Sequence, residues 1–247
     1  MSANSPREGI LPFFMSVRER TIESELMDRQ DLEPGLRAGA LKGLERINLL
    51  SRAAGSVWGP IRAFARKLNR PVRVLDLACG GGDVVLALSR RAARNRLPVE
   101  IHGCDLSAEA VAYATKRSGV EHHRVRFFQC DVLNNPPPEG YDVIVNTLFM
   151  HHLEHGAALR VLSALRNARP GLIVISDLRR STAGYALAHV ACRVLTRNYV
   201  VHYDGPRSVV SAFTPAEFSA LATQAGMAGH RIQSSWPFRF LFTWSPA

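Results

Sequence analysis

Five short apolar runs, separated by segments of helical periodicity, constrain the fold of this chain more than any other feature. Each run is apolar at most positions of both faces, and the segments between them carry apolar residues at the spacing of amphipathic helices. Such alternation is typical of a parallel sheet covered by helices on both sides. The sequence therefore predicts a doubly wound, mainly parallel α/β domain. The runs are residues 72–77, 99–104, 125–130, 141–146 and 172–176, with helices expected near 82–95, 107–117 and 155–168.

The length of 247 residues suits one large domain with an added segment. The spacing of apolar residues predicts a helical N-terminal segment over residues 1–70, whose second helix is expected to begin at Gly59-Pro60. The α/β domain is expected over residues 71–247. Within that domain, residues 179–213 show no strand signal and are expected to form helices over the edge of the sheet. Thr214 and Glu217 have the spacing of a capping box, and residues 230–244 predict one or two strands interrupted at Pro237.

Charge at first favours an anionic partner, because 31 Lys and Arg residues against 21 Asp and Glu residues give a formal net charge of +10. The arginines are dispersed along the chain, however, and form no run longer than a pair, which is typical of a solvated surface. The sequence also lacks an apolar stretch long enough to cross a bilayer and a signal-peptide profile, so we expect a cytoplasmic protein. The four cysteines form no CxxC pair and are expected to stay reduced.

A glycine-rich loop follows the first apolar run and opens a helix. Three consecutive glycines, Gly80 to Gly82, allow a ligand to approach the backbone closely, and the free N–H groups of the helix face the same place. The dinucleotide fingerprint needs a third glycine where this chain has Val85, and Asp76 at the tip of the run would repel a pyrophosphate. The loop therefore favours a cationic, phosphate-free ligand over a nicotinamide or flavin dinucleotide.

Two further acids stand at the ends of the next two runs. Asp105 is placed to accept hydrogen bonds from both hydroxyls of a ribose, and Asp131 could accept one from an adenine amino group. Each could instead be an ordinary turn or N-cap aspartate. Three acids at three successive strand tips beside a glycine loop are much harder to explain as turns.

With these features the chain resembles the class I S-adenosylmethionine-dependent methyltransferase family, in its small-molecule branch. The family's first motif is similar to residues 74–82, and the resemblance extends over residues 72–244, including residues 141–146, 169–175 and 213–217. It implies a Rossmann-like, seven-stranded methyltransferase sheet and S-adenosyl-L-methionine as cofactor, with S-adenosyl-L-homocysteine as product. The N-terminal segment would cap the substrate, and residues 179–213 would form a lid. The resemblance implies that the cofactor contacts Asp76, Ala78, Gly80, Gly82, Asp105, Leu106, Asp131, Val132 and Asn146.

The same resemblance places the segment after the fourth strand beside the transferred methyl group. His152 is the first candidate for a general base there, and His151 the second, although His152 could equally cap or pack the following helix. His189, His202 and Tyr203 are alternative bases or substrate contacts. Residues 151–155 spell the HxxEH pattern of zinc proteases, but the sequence offers no third ligand, so no metal is expected.

The acceptor is expected to be a small aromatic or lipid-like molecule, methylated on oxygen as a phenol, quinol or polyketide. C-methylation in a quinone-type pathway, an RNA or protein substrate and a catalytically idle binding module remain alternatives. Nucleic acid is disfavoured because no dense basic patch with interleaved aromatics is present. Arg179 and Arg180 are the candidates for meeting an anionic acceptor, and a monomer or homodimer is expected. The acceptor pocket is predicted to be lined by Phe13, Phe14, Phe149, Met150, Tyr185, Tyr199 and Tyr203. These residues could equally belong to the core.

Overall fold

The computed structural model describes residues 17–22, 24–29, 31–119 and 125–246 of the chain. Phe13 and Phe14, predicted to line the acceptor pocket, lie outside the described residues.

A seven-stranded sheet forms the centre of the molecule, as predicted. Its order is β3-β2-β1-β4-β5-β7-β6, and only β7 is antiparallel to its neighbours. The order reverses between β1 and β4, so a crevice forms at the carboxyl ends of these strands. The strands are β1 (Val72–Leu77), β2 (Val99–Asp105), β3 (Val125–Gln129), β4 (Val143–Thr147), β5 (Leu172–Leu178), β6 (Arg231–Ser235) and β7 (Arg239–Trp244).

Eight α-helices accompany the sheet in the described part of the chain. Because β1 and β4 are buried along nearly their whole length, the helices must cover both faces, and each face has its own apolar cluster. Residues 179–213, expected to be helical, form α6 and α7. The helices are α1 (Pro34–Leu50), α2 (Ala53–Ala65), α3 (Asp83–Arg94), α4 (Ala108–Ser118), α5 (His155–Asn167), α6 (Thr182–Leu195), α7 (Tyr199–Ser211) and α8 (Pro215–Gln224).

The second N-terminal helix begins earlier than predicted. Arg52 adopts a left-handed backbone conformation with φ of 55°, which ends α1 and lets α2 start at Ala53 rather than at Gly59-Pro60. Pro60 therefore lies inside α2, where it removes one backbone hydrogen bond. Val57 and Ile61 pack into the same cluster as β1 and β5, so α2 is a layer of the α/β domain, whereas α1 lies over the carboxyl edge of the sheet near α6 and α7.

The predicted capping box at the start of α8 is confirmed. The Thr214 hydroxyl accepts from the Glu217 backbone N–H, and the Glu217 carboxylate accepts from the Thr214 N–H and from the guanidinium of the buried Arg180. We expect Thr214→Ala to lower the free energy of unfolding by about 1 kcal/mol, because one N-terminal N–H of the helix loses its acceptor. Urea denaturation would measure this, with Thr223→Ala, near the other end of α8, as the matched control.

All four cysteines are free thiols, as expected. Within the described residues, none of the helices combines the length and apolar character that crossing a bilayer requires.

Candidate active site

The glycine loop lies at the carboxyl end of β1 and leads directly into α3. Gly80 and Gly82 both have positive φ, of 51° and 73°, and a side chain added at Gly80 would point into open space. The Gly80 N–H donates to the Asp105 carboxylate over 2.8 Å, which joins the loop to the tip of β2. The loop therefore forms a cradle open to the crevice, as predicted.

Gly82 is required for a different reason. A Cβ built there would lie 2.6 Å from the Phe127 ring and 2.8 Å from the Ala114 Cβ, in a backbone conformation that L-residues avoid. We expect Gly82→Ala to destabilise the protein by about 2–4 kcal/mol and to weaken cofactor binding, because the loop must shift to relieve both contacts. Thermal unfolding would measure the first effect. Gly80→Ala is the control, because its Cβ meets no atom within 4 Å and only its φ is unfavourable.

Asp76 is the most unusual group of the site. Its side chain is fully buried at the tip of β1, and neither carboxylate oxygen has a hydrogen-bond partner. Burial raises the pKa of Asp76 well above its ordinary value, and the nearby Asp83 and Asp105 raise it further. A buried carboxylate with unpaired oxygens fits a cationic ligand, which would supply the missing donors.

Asp105 and Leu106 stand where β2 ends. The Asp105 oxygens accept from the Gly80 and Ser107 N–H groups, which fixes the carboxylate in place and leaves lone pairs for further donors. Leu106 is unusually exposed for its type, at 58%. A ribose-binding acid and an apolar surface for an adenine ring both agree with this arrangement.

Asp105→Ala therefore has two expected consequences, a lost ribose acceptor and a released glycine loop. We expect cofactor affinity to fall by about 30- to 100-fold, the equivalent of roughly two charge-assisted hydrogen bonds. Calorimetric titration would measure it. Glu109→Ala, an exposed acid in the first turn of α4, is the control, and unchanged affinity in Asp105→Ala would contradict the assignment.

The Asp131 side chain forms hydrogen bonds within its own turn. Its carboxylate accepts from the backbone of Leu133 and Asn134 and from the Asn134 side chain, and these hydrogen bonds lower its pKa. Val132 packs partly buried against one core cluster. The predicted adenine contact therefore stays a prediction for both residues.

Asn146 ends β4 in the core. Its side-chain N–H donates to the Leu77 carbonyl over 2.8 Å, while its Oδ1 is buried without a partner. Asn146 thus ties β4 to β1 beside the crevice.

A histidine–carboxylate dyad occupies the carboxyl ends of β4 and β5. His151 lies in a 3₁₀ turn after β4, and its Nδ1 is 2.6 Å from the Oδ1 of Asp177 on β5, with both side chains buried. Burial opposes ionisation of Asp177, but the facing histidine and the Leu178 N–H outweigh it, so the pKa of Asp177 lies below its ordinary value. A carboxylate in this position fixes the imidazole tautomer and leaves Nε2 as the proton acceptor.

Glu25 covers the dyad from the N-terminal segment. Its carboxylate oxygens lie 3.8 Å from His151 Nε2 and 3.8 Å from His152 Nδ1, and the Ser208 hydroxyl donates to it. Glu25, His151 and His152 each offer one atom that could bind a metal ion, and these atoms lie within 4.8 Å of one another. The zinc-protease pattern is not assembled, because Glu154 is exposed and His155 lies beside Gln224.

An apolar cavity of about 380 Å³ connects the glycine loop with the two histidines. This volume lies in the range of small-molecule sites. Three of its lining residues, Ala78, Leu148 and Phe238, are non-glycine residues with positive φ, a strain that often accompanies functional sites. Other lining residues are Leu41, Leu44 and Ile47 of α1, Leu187, Ala188 and Ala191 of α6, and Trp236 and Pro237 before β7.

The prediction of the acceptor pocket's lining is wrong for the five of its seven residues that the structure describes. Met150 is fully buried in the core, Phe149 packs beside it, and Tyr185, Tyr199 and Tyr203 do not line the cavity. His189 and His202 also lie outside it, and His202 contacts the Thr196 carbonyl. The prediction took aromatic residues as the wall material, but the helices lying over the crevice present leucine, isoleucine and alanine instead.

The positions proposed to meet an anion are also wrong. Arg180 is paired with Glu217, and Arg179 contacts Ser234 outside the cavity. Sequence analysis missed three residues of the site: Glu25, Asp177 and Arg239. Only Asp177 carried a signal, because it is one more acid near the end of a predicted strand.

The comparisons with known proteins agree with this geometry. Residues 74–171 match the family model described as a methyltransferase domain. The ubiquinone biosynthesis O-methyltransferase of Bradyrhizobium diazoefficiens is 29% identical over 170 residues, 64% of this chain and 62% of that protein. The demethylmenaquinone methyltransferase of Thermus thermophilus is 37% identical over 93 residues, 37% of this chain and 40% of that protein. The match therefore spans less than two thirds of each relative.

Solved structures share the fold. The plantazolicin methyltransferase BpumL, solved in complex with SAH, superposes with a TM-score of 0.63 at 19% identity, covering 87% of this chain and 92% of that chain. The CurJ carbon methyltransferase gives 0.65 at 15% identity, covering 90% and 63%.

The fold is that of class I S-adenosylmethionine-dependent methyltransferases. Within it, residues 74–171 match a methyltransferase domain.

Proposed function

We propose that the whole protein transfers a methyl group from S-adenosylmethionine to a phenolic or quinol-type small molecule. The observation that carries the proposal is that one apolar cavity is lined both by the glycine loop and by His151, whose Nδ1 is paired with the buried Asp177 behind it. A cofactor cradle and a general base meeting in one cavity suit methyl transfer to an acceptor that must first lose a proton.

The residues at the tips of β1 and β2 would hold the cofactor. Asp76 offers two unpaired acceptors to its positive charge, Asp105 offers acceptors to its ribose, and the loop glycines admit it close to the backbone. When bound, S-adenosylmethionine supplies a methyl group already activated by a sulfonium. The protein must therefore mainly align the acceptor with that methyl and exclude water.

His151 is the proposed general base. Asp177 holds the proton of Nδ1, so Nε2 accepts the proton of the acceptor hydroxyl as the new bond forms. The resulting imidazolium is flanked by two carboxylates, Asp177 at 2.6 Å and Glu25 at 3.8 Å, which stabilise its charge. His152, the first candidate from the sequence, is half-buried beside Glu25 and is proposed to help position the acceptor.

The acceptor class follows from the wall of the cavity. Apolar side chains of α1 and α6 surround the space next to the dyad, which suits an aromatic or lipid-like molecule. The relatives named for ubiquinone and menaquinone biosynthesis support a quinone-type acceptor. The first of them is named an O-methyltransferase, which supports transfer to oxygen, and C-methylation stays the alternative.

Further elements of the proposal concern the setting of the enzyme. Within the N-terminal segment predicted over residues 1–70, α1 acts as a cap over the acceptor and α2 does not, and residues 179–213 act as a lid. The protein works in the cytoplasm, as a monomer or homodimer, on small molecules and not on nucleic acid.

Methyl transfer from labelled S-adenosylmethionine tests the proposal. We would offer a catechol, a naphthohydroquinone, a polyketide-like β-dicarbonyl and bulk RNA to the wild type and to His151→Ala. We expect product with the phenol or quinol, little with RNA, and strong loss in the variant. With a ¹³C-methyl donor, NMR of the product distinguishes O-methyl from C-methyl. Transfer to RNA alone would contradict the proposal.

A further inference from the structure

Arg239 is a buried cation that the proposed mechanism does not use. It is the first residue of β7, opposite Leu178 of β5, and its side chain is only 3% exposed. It also lines the cavity that contains the glycine loop and the dyad. Its place in the wall therefore needs an explanation.

The guanidinium of Arg239 has few partners. Nη2 donates to the Ser51 hydroxyl over 2.8 Å and lies 3.5 Å from the Asn48 Oδ1. Nε and Nη1 are buried without a hydrogen-bond partner, and no carboxylate of the described residues lies within ion-pair distance. Burial lowers the pKa of Arg239 to about 10, and Asp177 and Asp83 act in the opposite direction, so the group remains charged at neutral pH.

The other buried arginine among the described residues, Arg180, has a charged partner. Its guanidinium contacts both carboxylate oxygens of Glu217 and the Ala212 carbonyl, although its Nε also lacks a hydrogen-bond partner. A buried charge normally has such a partner, because leaving it alone in a low-dielectric site is very unfavourable. The two unpaired nitrogens of Arg239 indicate that its partner is a ligand.

The position of Arg239 in the sheet indicates which ligand. β7 is separated from β1 by β4 and β5, which places its backbone three strand spacings, about 14 Å, from the strand that carries the cofactor loop. The three residues before it, Trp236, Pro237 and Phe238, line the same cavity and include two aromatic rings. We therefore place Arg239 on the acceptor side of the cavity.

We propose that Arg239 binds a carboxylate of the acceptor, which makes the acceptor a phenolic or quinol-type molecule that also carries a carboxylate. This inference rests on the proposed methyl transfer and specifies its substrate class. The free N–H groups of the guanidinium supply charge-assisted hydrogen bonds to the carboxylate, while Phe238 and Leu178 contact the ring. A single arginine in a mainly apolar wall that also contains the Glu25 and Asp83 carboxylates suits one carboxylate better than a multiply charged phosphate.

A matched pair of probes tests this inference without catalysis. We would titrate 2-naphthoate and its neutral amide, 2-naphthamide, into the full-length protein by calorimetry, with and without saturating S-adenosylhomocysteine. Wild type is expected to bind the carboxylate at least about 10-fold more tightly than the amide. Arg239→Met is expected to bring the two affinities within about 2-fold, and Arg239→Lys to retain part of the preference.

Arg179→Met is the matched control, because it removes the same charge from a neighbouring side chain that does not line the cavity. It should keep the wild-type preference, and Arg239→Met should bind S-adenosylhomocysteine within about 3-fold of wild type.

The inference would be overturned if the wild type did not favour the carboxylate or bound neither probe. It would equally be overturned if the preference survived in Arg239→Met, or if Arg179→Met lost it as well. A large loss of S-adenosylhomocysteine affinity in Arg239→Met would also overturn it, by assigning the residue to the cofactor. Failure of wild type to bind S-adenosylhomocysteine would count against the proposed function, whereas the ratio of the two probes would still decide the role of Arg239.

Discussion

Replacing His151 by alanine is expected to lower kcat by about 10²- to 10⁴-fold while leaving the affinity for S-adenosylmethionine within about 3-fold of wild type. The reason is the position of the imidazole, whose Nδ1 is held by Asp177 and whose Nε2 faces the cavity beside Glu25. Asp177→Asn should lower kcat by a similar factor, because an asparagine can present its N–H to the ring and select the wrong tautomer. Single-turnover methyl transfer together with calorimetry separates the two quantities.

His152→Ala is the matched control for the dyad. The two imidazole rings are neighbours, with centroids 4.3 Å apart, but it is His151 whose Nδ1 is 2.6 Å from the Asp177 carboxylate. We expect His152→Ala to change KM more than kcat. If His152→Ala lost the activity and His151→Ala kept it, the general base would be the residue first favoured from the sequence, and the dyad would be structural.

Replacing Asp76 by asparagine is expected to weaken S-adenosylmethionine binding by about 100-fold and yet to stabilise the free protein. The buried carboxyl has no partner in the absence of a cation, and its pKa is raised by burial and by Asp83 and Asp105. A raised pKa in the folded state means that the contribution of the group to stability is complete below the unfolded pKa and is lost as the pH rises through the folded one. Near neutral pH we therefore expect Asp76→Asn to raise the free energy of unfolding by about 1–3 kcal/mol and to unfold at a higher temperature.

Thermal unfolding against pH measures this effect, and Asp131→Asn is the control of opposite sign. Hydrogen bonds from Asn134 and Leu133 lower the pKa of Asp131, so its contribution is present above the unfolded pKa and is lost as the pH falls through the folded one. The same substitution there should slightly lower stability at neutral pH. Equal effects of the two variants would contradict the electrostatic account of Asp76.

The sheet could be predicted from the sequence because its buried strands are short apolar runs, and acids mark the tips of β1, β2 and β5. The glycine loop, Asp76 and Asp105 meet at one edge because parallel strands bring their carboxyl ends together. The start of α2 could not be predicted, because it depends on the left-handed backbone of Arg52, an ordinary residue with no turn signal.

The acceptor half of the site depends on contacts between distant segments. Glu25 and Ser208 are 183 positions apart, and Arg239 reaches Ser51 across 188. Periodicity reports which face of a helix is buried but not which helix of the chain covers the crevice. For that reason the pocket was predicted to have a wall of aromatic residues. The five of them that the structure describes lie outside the cavity, and side chains of α1 and α6 supply much of its apolar wall.

Titration of the wild-type protein with S-adenosylmethionine, and in parallel with NADH, tests the central claim most directly. The unpaired Asp76 carboxyl and the cradle of Gly80 predict saturable binding of S-adenosylmethionine at one site. NADH should not compete. Absence of S-adenosylmethionine binding, or tighter binding of NADH at the same site, would contradict the account.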